Sequence, residues 1–297
     1  MDLDLRKLRY FVAVAEELNF GRAAERLRIA QPALSRQIRA LEQELKVELF
    51  DRSSRGTALT DAGRRLLDDA RPLLASADAV ERRVRSAAAG GRFTVAFMPG
   101  ILVTAAVREF AAEFPELAVE VLRTSYHEQA AVLLDGRADV SFVRMPVPAA
   151  GLTIVPLFAE PRVVAVPAEH RLAGKDRVHV ADLADERLLQ DPDLVPEWRD
   201  IARVLREGEP APWRSRPLST MEEKLEHVAA GQGIIVVPRS AAALYTRADV
   251  AYADLDGVAD NQVALAFSAQ RGGPELQRFV DIAVRQFGGD AVAVEVG

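Results

Sequence analysis

Apolar residues recur at helical spacing in three consecutive segments at the start of the chain: 5–18, 19–29 and 31–45. A repeat at every third or fourth position predicts amphipathic helices with one apolar face each. Gly21 stands where the second helix would take its N-cap. Pro32 follows Gln31 in the first turn of the third helix, where the N–H that proline lacks would have no helical partner anyway. The pattern therefore predicts three short helices joined by tight connections.

After residue 92 the pattern changes to short apolar runs that alternate with helical spacing. Six runs are short enough and apolar enough to be buried strands: FTVAFM, LAVEVL, DVSFV, RVVAVP, GIIVVP and VALAFS. Helical spacing lies between or after them at 101–114, 126–135, 221–231 and 274–287. The alternation predicts an α/β fold, and about 200 residues suit two lobes better than a single sheet.

A heptad repeat fills the stretch between these two patterns. Its apolar positions alternate steps of four and three, as in the seam of a coiled-coil dimer: Leu66, Ala70, Leu73, Ala77, Val80 and Val84. The alternative is a lone helix that packs on its own domain. Pro72 predicts a kink or a compensating partner helix, because an interior proline costs about 3 kcal/mol. The predicted domains are then 1–60, a dimerisation helix at 61–90, and 91–297.

The amino-acid composition excludes several kinds of binding site and of cellular location. The 297 residues are 49% hydrophobic and include no cysteine, which excludes disulfides and thiolate metal sites. The four histidines are scattered, so we expect no metal site and no cofactor. No apolar run is long enough to span a membrane, and the first residues lack the pattern of a signal peptide. We therefore expect a cytoplasmic protein without membrane contact.

Charge is divided unevenly along the chain. Residues 1–65 hold 13 lysines and arginines against 10 acidic residues, a net charge of +3. The remaining residues hold 25 against 34, a net charge of −9. A basic N-terminal segment on an acidic protein predicts that this segment faces a polyanion.

The third predicted helix carries side chains that suit contact with double-stranded DNA. Small Ala23 and Ala24 permit a close crossing of the second and third helices, as in a helix-turn-helix whose second helix enters the major groove. The polar face of that helix holds Gln31, Pro32, Ser35, Arg36 and Arg39. Arginine reads guanine and glutamine reads adenine. The alternative is a solvated helical bundle with ordinary surface arginines.

A basic turn follows this helix. Leu49 and Phe50 precede an Arg-Ser-Ser-Arg-Gly sequence, after which Leu59 resumes extended spacing. We expect a short β-wing whose Arg52 and Arg55 contact phosphates, which supply affinity and register rather than sequence choice.

Residues 5–63 resemble the winged helix-turn-helix of the LysR-type transcriptional regulators. The sequence QPALSRQIRALE, followed by LFDR and LTDAG, carries that resemblance. It implies that the polar face of the third helix, which is the family's recognition helix, contacts the major groove. Ala30 stands where the family usually has Ser, and Lys46 where it usually has Gly. We therefore expect weaker capping at both ends of this helix.

The same resemblance implies a bilobal effector domain similar to periplasmic solute-binding proteins. The chain of such a domain crosses between its lobes twice, and here we expect the crossings near 158–162 and 266–270. Lobe I then takes about 91–160 and 268–297, and lobe II about 161–267. The resemblance also implies a homotetramer built as a dimer of dimers.

A cleft between two such lobes is the expected ligand site. Candidate residues lie where predicted strands end: Pro99, Gly100, Ile101, Thr124, Ser125, Arg144, Ser219, Thr220 and Met221. Residues 98–101 open a predicted helix whose backbone N–H groups suit an anion. Arg144 would clamp a carboxylate, so we expect a small organic acid as effector. The alternatives are that the hydroxyls only cap helices and that Arg144 forms an ion pair between the lobes.

No Gly-x-Ser-x-Gly motif, phosphate-binding loop or dinucleotide glycine fingerprint occurs in the sequence, so we expect no enzymatic activity. The hypothesis is a homodimeric DNA-binding regulator, gated by a small molecule that shifts the balance between two lobe arrangements. Two alternatives stay open. One is a solute-binding or enzymatic α/β protein whose N-terminal helices only dimerise it, and the other is a repressor that ignores ligands.

Overall fold

The computed structural model describes residues 3–53, 56–88, 91–205, 218 and 220–288. It describes the backbone but not the side chains at 52, 53, 56, 82, 83, 85–88 and 205. These residues fall into two compact units: an N-terminal one of residues 3–88 together with 134–137, and a C-terminal one of the remaining residues from 91 onward. The first is helical with a two-stranded wing and the second is α/β, which confirms the predicted fold class.

The N-terminal unit is built, in chain order, from α1 (Leu5–Glu17), α2 (Phe20–Leu27), α3 (Gln31–Leu45), β1 (Phe50–Ser53), β2 (Gly56–Leu59) and α4 (Asp61–Ala88). β1 and β2 pair in antiparallel register, with Phe50 opposite Leu59. This pair is the predicted wing.

The start of α2 differs from the prediction. Asn19, and not Gly21, is the N-cap, and its side-chain oxygen accepts a hydrogen bond from the N–H of Arg22 at 3.0 Å. Glycine has no such oxygen, so the helix begins at Phe20, before Gly21.

Both ends of α3 show the expected weak capping. Ala30 is the N-cap and makes no side-chain hydrogen bond. Lys46 ends the helix in the left-handed conformation, with φ of 56°. A residue with a Cβ adopts that conformation only at a cost, which glycine avoids.

The core of the N-terminal unit holds α3 by its apolar face. Leu34, Ile38 and Leu41 are each 0% exposed. They belong to one cluster with Phe11 of α1 and Phe50 of β1, whose ring centroids lie 5.4 Å apart. Burial of this face leaves the opposite, polar face of α3 on the outside.

α4 corresponds to the predicted dimerisation helix and continues unbroken past Pro72. Its predicted seam contains two kinds of position. Ala70 is 1% exposed and belongs to the core of its own unit, against which Leu66 also packs. Ala70 is therefore not free to contact a partner helix, which corrects that part of the prediction. The later positions are half-buried or exposed: Leu73, Ala77, Val80 and Val84.

The C-terminal unit alternates strands and helices in the order β3 (Arg92–Phe97), α5 (Thr104–Glu113), β4 (Ala118–Arg123), α6 (Ala131–Leu134), β5 (Val140–Arg144), β6 (Leu152–Glu160), β7 (Arg162–Pro167), β8 (Arg177–His179), α7 (Pro196–Leu205), α8 (Met221–Ala229), β9 (Ile235–Pro238), α9 (Arg239–Leu244), β10 (Val250–Asp256), β11 (Asn261–Ser268) and α10 (Pro274–Phe287). Two helices are shorter than predicted. α5 begins only at Thr104, because Ile101 turns back to donate to the carbonyl of Met98 at 3.2 Å. α6 is a single turn.

Lobe I contains a five-stranded sheet in the order β4-β3-β5-β11-β6. β3 is parallel to β4 and β5, and β11 lies antiparallel between β5 and β6. α5 and α10 cover one face, where Phe93, Phe110, Phe142 and Phe279 form an aromatic core.

Lobe II contains a four-stranded sheet in the order β8-β10-β7-β9. Trp198 of α7 is 1% exposed in the core on one face, and Leu225 and Val228 of α8 are buried on the other.

The chain crosses from lobe I to lobe II at Pro161, between β6 and β7, inside the predicted range 158–162. The second crossing lies at 257–260, between β10 and β11, and not at 266–270. The reason is strand pairing. β11 pairs with β6 from Asn261 to Ser268 and with β5 from Val263 to Ala266, so the whole strand belongs to lobe I.

Candidate functional site

The polar face of α3 is open to solvent. Gln31, Pro32, Arg36 and Arg39 are exposed, and Ser35 is half-buried. These residues lie opposite the buried apolar face of the same helix, near its N-terminal end. An amide, a hydroxyl and two guanidinium groups on one exposed helix face are the groups that hydrogen-bond base edges in a major groove.

The cations of this face differ from other arginines of the N-terminal unit. Arg26 pairs with Glu16 at 2.8 Å, and Arg71 pairs with the same carboxylate at 3.2 Å. Within the part of the chain that the structure describes, Arg36 and Arg39 have no carboxylate partner. Both guanidinium groups are therefore available to a polyanion.

The wing is only partly described. Arg52 lies on β1 opposite Thr57, but its side chain is outside the described atoms. Arg55 lies outside the described residues altogether. Their contact with phosphates stays a prediction.

A cavity of about 560 Å³ opens between the two lobes of the C-terminal unit. It has the size of a small-molecule site. Its wall comprises Met98, Pro99, Arg123, Thr124, Ser125, Tyr126, His127, Glu128, Arg144, Met145, Pro146, Arg162, Gln190, Asp191, Leu194, Leu218, Thr220, Met221, Lys224, Val236, Val237, Pro238, Ala241 and Asn261.

Six of the nine candidate residues line this cavity: Pro99, Thr124, Ser125, Arg144, Thr220 and Met221. Gly100 and Ile101 do not. Ile101 is 3% exposed in the core of lobe I. Gly100 has φ of 93° and faces α9, where an added Cβ would lie 2.7 Å from the backbone N of Ala241. Ser219 lies outside the described residues.

Both terminal nitrogens of the Arg144 guanidinium are hydrogen-bonded within the protein. One terminal nitrogen donates to Glu160 and to Asn261, both at 2.6 Å. The other donates to the carbonyl of Pro99 at 3.2 Å and to Ser240 at 3.1 Å. Burial lowers the pKa of Arg144, and the charge of Glu160 opposes that shift. Arg144 therefore forms an ion pair, as the alternative prediction held, but its carboxylate partner lies in lobe I, and only the hydrogen bond to Ser240 reaches lobe II.

The same cluster joins the lobes. Ser240, in α9 of lobe II, donates its backbone N–H and its hydroxyl to Glu160, both at 2.9 Å. Glu160 ends β6 of lobe I, and Arg144 ends β5 beside it in the fold. The cluster therefore fixes the first crossing and the packing of α9 on lobe I.

The predicted hydroxyls also make local hydrogen bonds. Thr124 donates to the carbonyl of Phe97 at 3.2 Å, and Ser125 donates to Glu128 at 2.8 Å. Thr220 caps α8 by accepting from the N–H of Glu223 at 3.1 Å. Thr220 also hydrogen-bonds the carboxylate of Glu222, so all three hydroxyls already have protein partners, although their oxygens keep lone pairs for a ligand.

Three cations of the cavity wall are absent from the sequence predictions: Arg123, Arg162 and Lys224. Lys224 lies in the first turn of α8, four residues after Thr220, so both project from one side of the helix. That spacing was the available signal. Arg162 is the first residue of β7, just after the crossing. Its terminal nitrogen donates to the carbonyl of Leu194 at 2.8 Å, while its Nε is buried without a partner in the described structure.

Over the described residues, no cluster of histidine and carboxylate side chains is arranged to hold a metal ion. None of the helices described is both long and apolar enough to cross a membrane.

Family models match both units of the chain. Residues 5–64 match the bacterial regulatory helix-turn-helix proteins of the lysR family, and residues 86–288 match the LysR substrate binding domain. The transcriptional regulator AlsR of Bacillus subtilis is 31% identical, over 95% of this chain and 95% of AlsR.

Solved structures agree with these matches. The crystal structure of CbnR, a LysR family transcriptional regulator, is 29% identical with a TM-score of 0.61, over 97% of this chain and all of CbnR. Full-length CbnR in complex with its target DNA is 31% identical with a TM-score of 0.50, over 95% of this chain and 99% of that one. The family models thus cover both the helix-turn-helix and the bilobal domain of this chain. The chain belongs to the LysR family of DNA-binding transcriptional regulators.

Proposed function

We propose that this regulator reads double-stranded DNA with the outer face of α3 and answers to a small organic acid bound between lobes I and II. The DNA part rests on one observation: Arg36 and Arg39 are exposed beside Gln31 and Ser35 and have no carboxylate partner among the described residues. Arginine and glutamine in this position reach base edges, and the wing arginines supply phosphate contacts.

The effector part rests on the cavity. Its volume of about 560 Å³ and its mixture of apolar and charged wall residues suit a small molecule. The cavity is bounded by both lobes, so a ligand that prefers one lobe arrangement shifts the balance between two arrangements. A ligand with equal affinity for both arrangements would shift nothing.

Assembly is part of the proposal. Leu73, Val80 and Val84 of α4 are 43%, 52% and 66% exposed, and they are large apolar residues on a long helix. A second copy of the helix would bury them in a homodimer, or in a tetramer made of two dimers. A dimer presents two recognition helices to two half-sites.

Two further points complete the proposal. The protein acts in the cytoplasm, where bacterial DNA lies, and it catalyses no reaction. The rival, a solute-binding or enzymatic protein that merely dimerises through its N-terminal helices, gives Arg36 and Arg39 no role.

Recovery of genomic DNA fragments by the purified full chain, at two salt concentrations, tests the proposal. We expect a few fragments to survive the higher salt and to share an inverted repeat. The Arg36→Ala, Arg39→Ala double variant should lose that enrichment. Uniform loss of all fragments with salt would leave only electrostatic binding and would favour the rival.

A further inference from the structure

Four cationic side chains line the inter-lobe cavity: Arg123, Arg144, Arg162 and Lys224. The terminal nitrogens of Arg144 donate all four of their N–H groups to protein acceptors. Arg123 is 46% exposed and faces Glu222 at 3.7 Å. Neither arginine therefore needs an anion as a partner. The positive charges of Arg162 and Lys224 still need an explanation.

Lys224 has the least support from the protein. Its ammonium makes no hydrogen bond or ion pair with any residue that the structure describes. Burial lowers the pKa of Lys224, and only the charge of neighbouring Glu223 opposes that shift. A partly buried ammonium without a partner is unfavourable, and an anion in the cavity would remove that penalty.

Arg162 adds a second incomplete cation to the same wall. One terminal nitrogen is bonded to the carbonyl of Leu194, but Nε is buried without a partner among the described residues. Burial lowers the pKa of Arg162, and interaction with Glu197 is the largest of the effects that oppose this shift. An anion near Arg162 would supply an acceptor for Nε and offset its positive charge.

The remaining wall is mixed: polar residues such as Glu128, Gln190 and Asp191 contribute to it, and so does a set of apolar side chains. The apolar side chains are those of Met98, Leu194, Leu218, Met221, Val236 and Val237. Thr220 lies one helical turn before Lys224, but its hydroxyl is already used: its oxygen accepts from the N–H of Glu223 and it hydrogen-bonds the carboxylate of Glu222. The cavity thus combines apolar wall residues with one corner that holds the ammonium of Lys224.

We propose that Lys224 recognises the charge of the effector: the ligand is a carboxylate with an apolar body, its carboxylate meets Lys224, and Arg144 takes no part in the contact. This inference rests on the proposed effector function of the cavity. It assigns specificity to a residue in the first turn of α8 rather than to the arginine at the end of β5.

Lysine acetylation of the full chain, followed by mass spectrometry, tests the contact directly. The probes are hexanoate, cyclohexanecarboxylate and adipate, each beside its neutral amide. We expect at least one carboxylate to slow acetylation of Lys224 while its amide does not. Lys175, an exposed lysine of the same lobe, is the internal control and should react at an unchanged rate. Protection by none of the three carboxylates, or equal protection by the amides, overturns the proposal.

Binding by variants supplies a second test. A charge-assisted hydrogen bond is worth about 1.5–3 kcal/mol, so Lys224→Met should weaken the protecting carboxylate about tenfold to a hundredfold. Lys224→Arg should recover part of that loss, and Lys175→Met should change nothing. Carboxylate affinity that survives Lys224→Met overturns the role of Lys224.

Recovery of genomic DNA by the Lys224→Met variant distinguishes failure of the proposal for Lys224 from failure of the proposed function. We expect the variant to enrich the same fragments as the unaltered protein in the absence of any carboxylate. Loss of carboxylate binding with DNA enrichment intact supports Lys224 as the charge reader. Enrichment by neither protein refutes the proposed function itself, whatever the cavity binds.

Discussion

The outer face of α3 and the wall of the inter-lobe cavity are both basic, but their cations are in opposite situations. Arg36 and Arg39 are exposed and unpaired at little cost, because water solvates them. Arg144 is 4% exposed and needs four protein acceptors. Lys224 is half-buried and has none among the described residues. An unpaired cation is therefore ordinary on a surface. Inside a cavity it indicates that an anion binds there.

The largest effect should come from the satisfied cation. Arg144→Met leaves Glu160 buried without its ion-pair partner, and breaking a buried pair costs about 3–5 kcal/mol. We expect the free energy of unfolding of the full chain, measured in urea, to fall by that amount. Arg177→Met is the matched control, because Arg177 pairs with Asp256 at 2.8 Å at a site where both side chains are exposed, and such a pair is worth about 0–1 kcal/mol. Equal losses in both variants would mean that burial does not distinguish these arginines.

The exposed cation should affect DNA rather than stability. Arg36→Ala should cost about 1–3 kcal/mol in binding to the recovered DNA sites and relax base preference at one position. Arg26→Ala on α2 is the control, since Arg26 is already paired with Glu16 and Glu17. Binding to a library of sites with one base changed at a time measures both. A uniform loss across all bases would make Arg36 a phosphate contact instead.

The sequence predicted the recognition helix well because its signals are local. The spacing that buries Leu34, Ile38 and Leu41 lies within fifteen residues, and the same spacing determines the face on which Arg36 lies. The caps were less certain, since Asn19 and Gly21 are both acceptable N-caps, and only the geometry selects Asn19.

The cavity was predicted less completely because its contacts are distant in sequence. Arg144 meets Ser240 and Asn261, which are 96 and 117 residues away, so an arginine at a strand end looked free for a ligand. The second crossing was misplaced for a similar reason, since only pairing with β5 and β6 assigns β11 to lobe I. Lys224 was not among the predicted site residues, because nothing in the sequence near it shows which residues line the opposite wall of the cavity.

Removal of the charge of Lys224, which has no partner among the described residues, should stabilise the protein. Lys224→Met should raise the free energy of unfolding of the ligand-free protein at pH 7 by on the order of 1 kcal/mol. The folded pKa of Lys224 lies below its ordinary value of 10.5, so between the two values the unfolded chain binds more protons and the stability of the unaltered protein rises with pH. The gain from Lys224→Met should therefore shrink as the pH is raised through that window. Urea unfolding at several pH values measures this gain in the free energy of unfolding. A gain that does not vary with pH would show that the charge of Lys224 is not its cause.

The smallest effect concerns the end of α3 away from the DNA-reading residues. Lys46 holds φ of 56°, and glycine adopts that conformation without steric cost, so Lys46→Gly should stabilise the protein by about 0.5–1 kcal/mol. Lys46→Ala removes the charge but keeps the Cβ, and should give no such gain. Thermal unfolding of both variants measures the difference. DNA affinity should stay the same in both, because the reading face begins at Gln31 at the other end of the helix. A change in DNA affinity with Lys46→Gly alone would show that the strain at this end of α3 is coupled to the reading face. The exposed cations of α3 would then depend on helix geometry as strictly as the buried cations of the cavity depend on their partners.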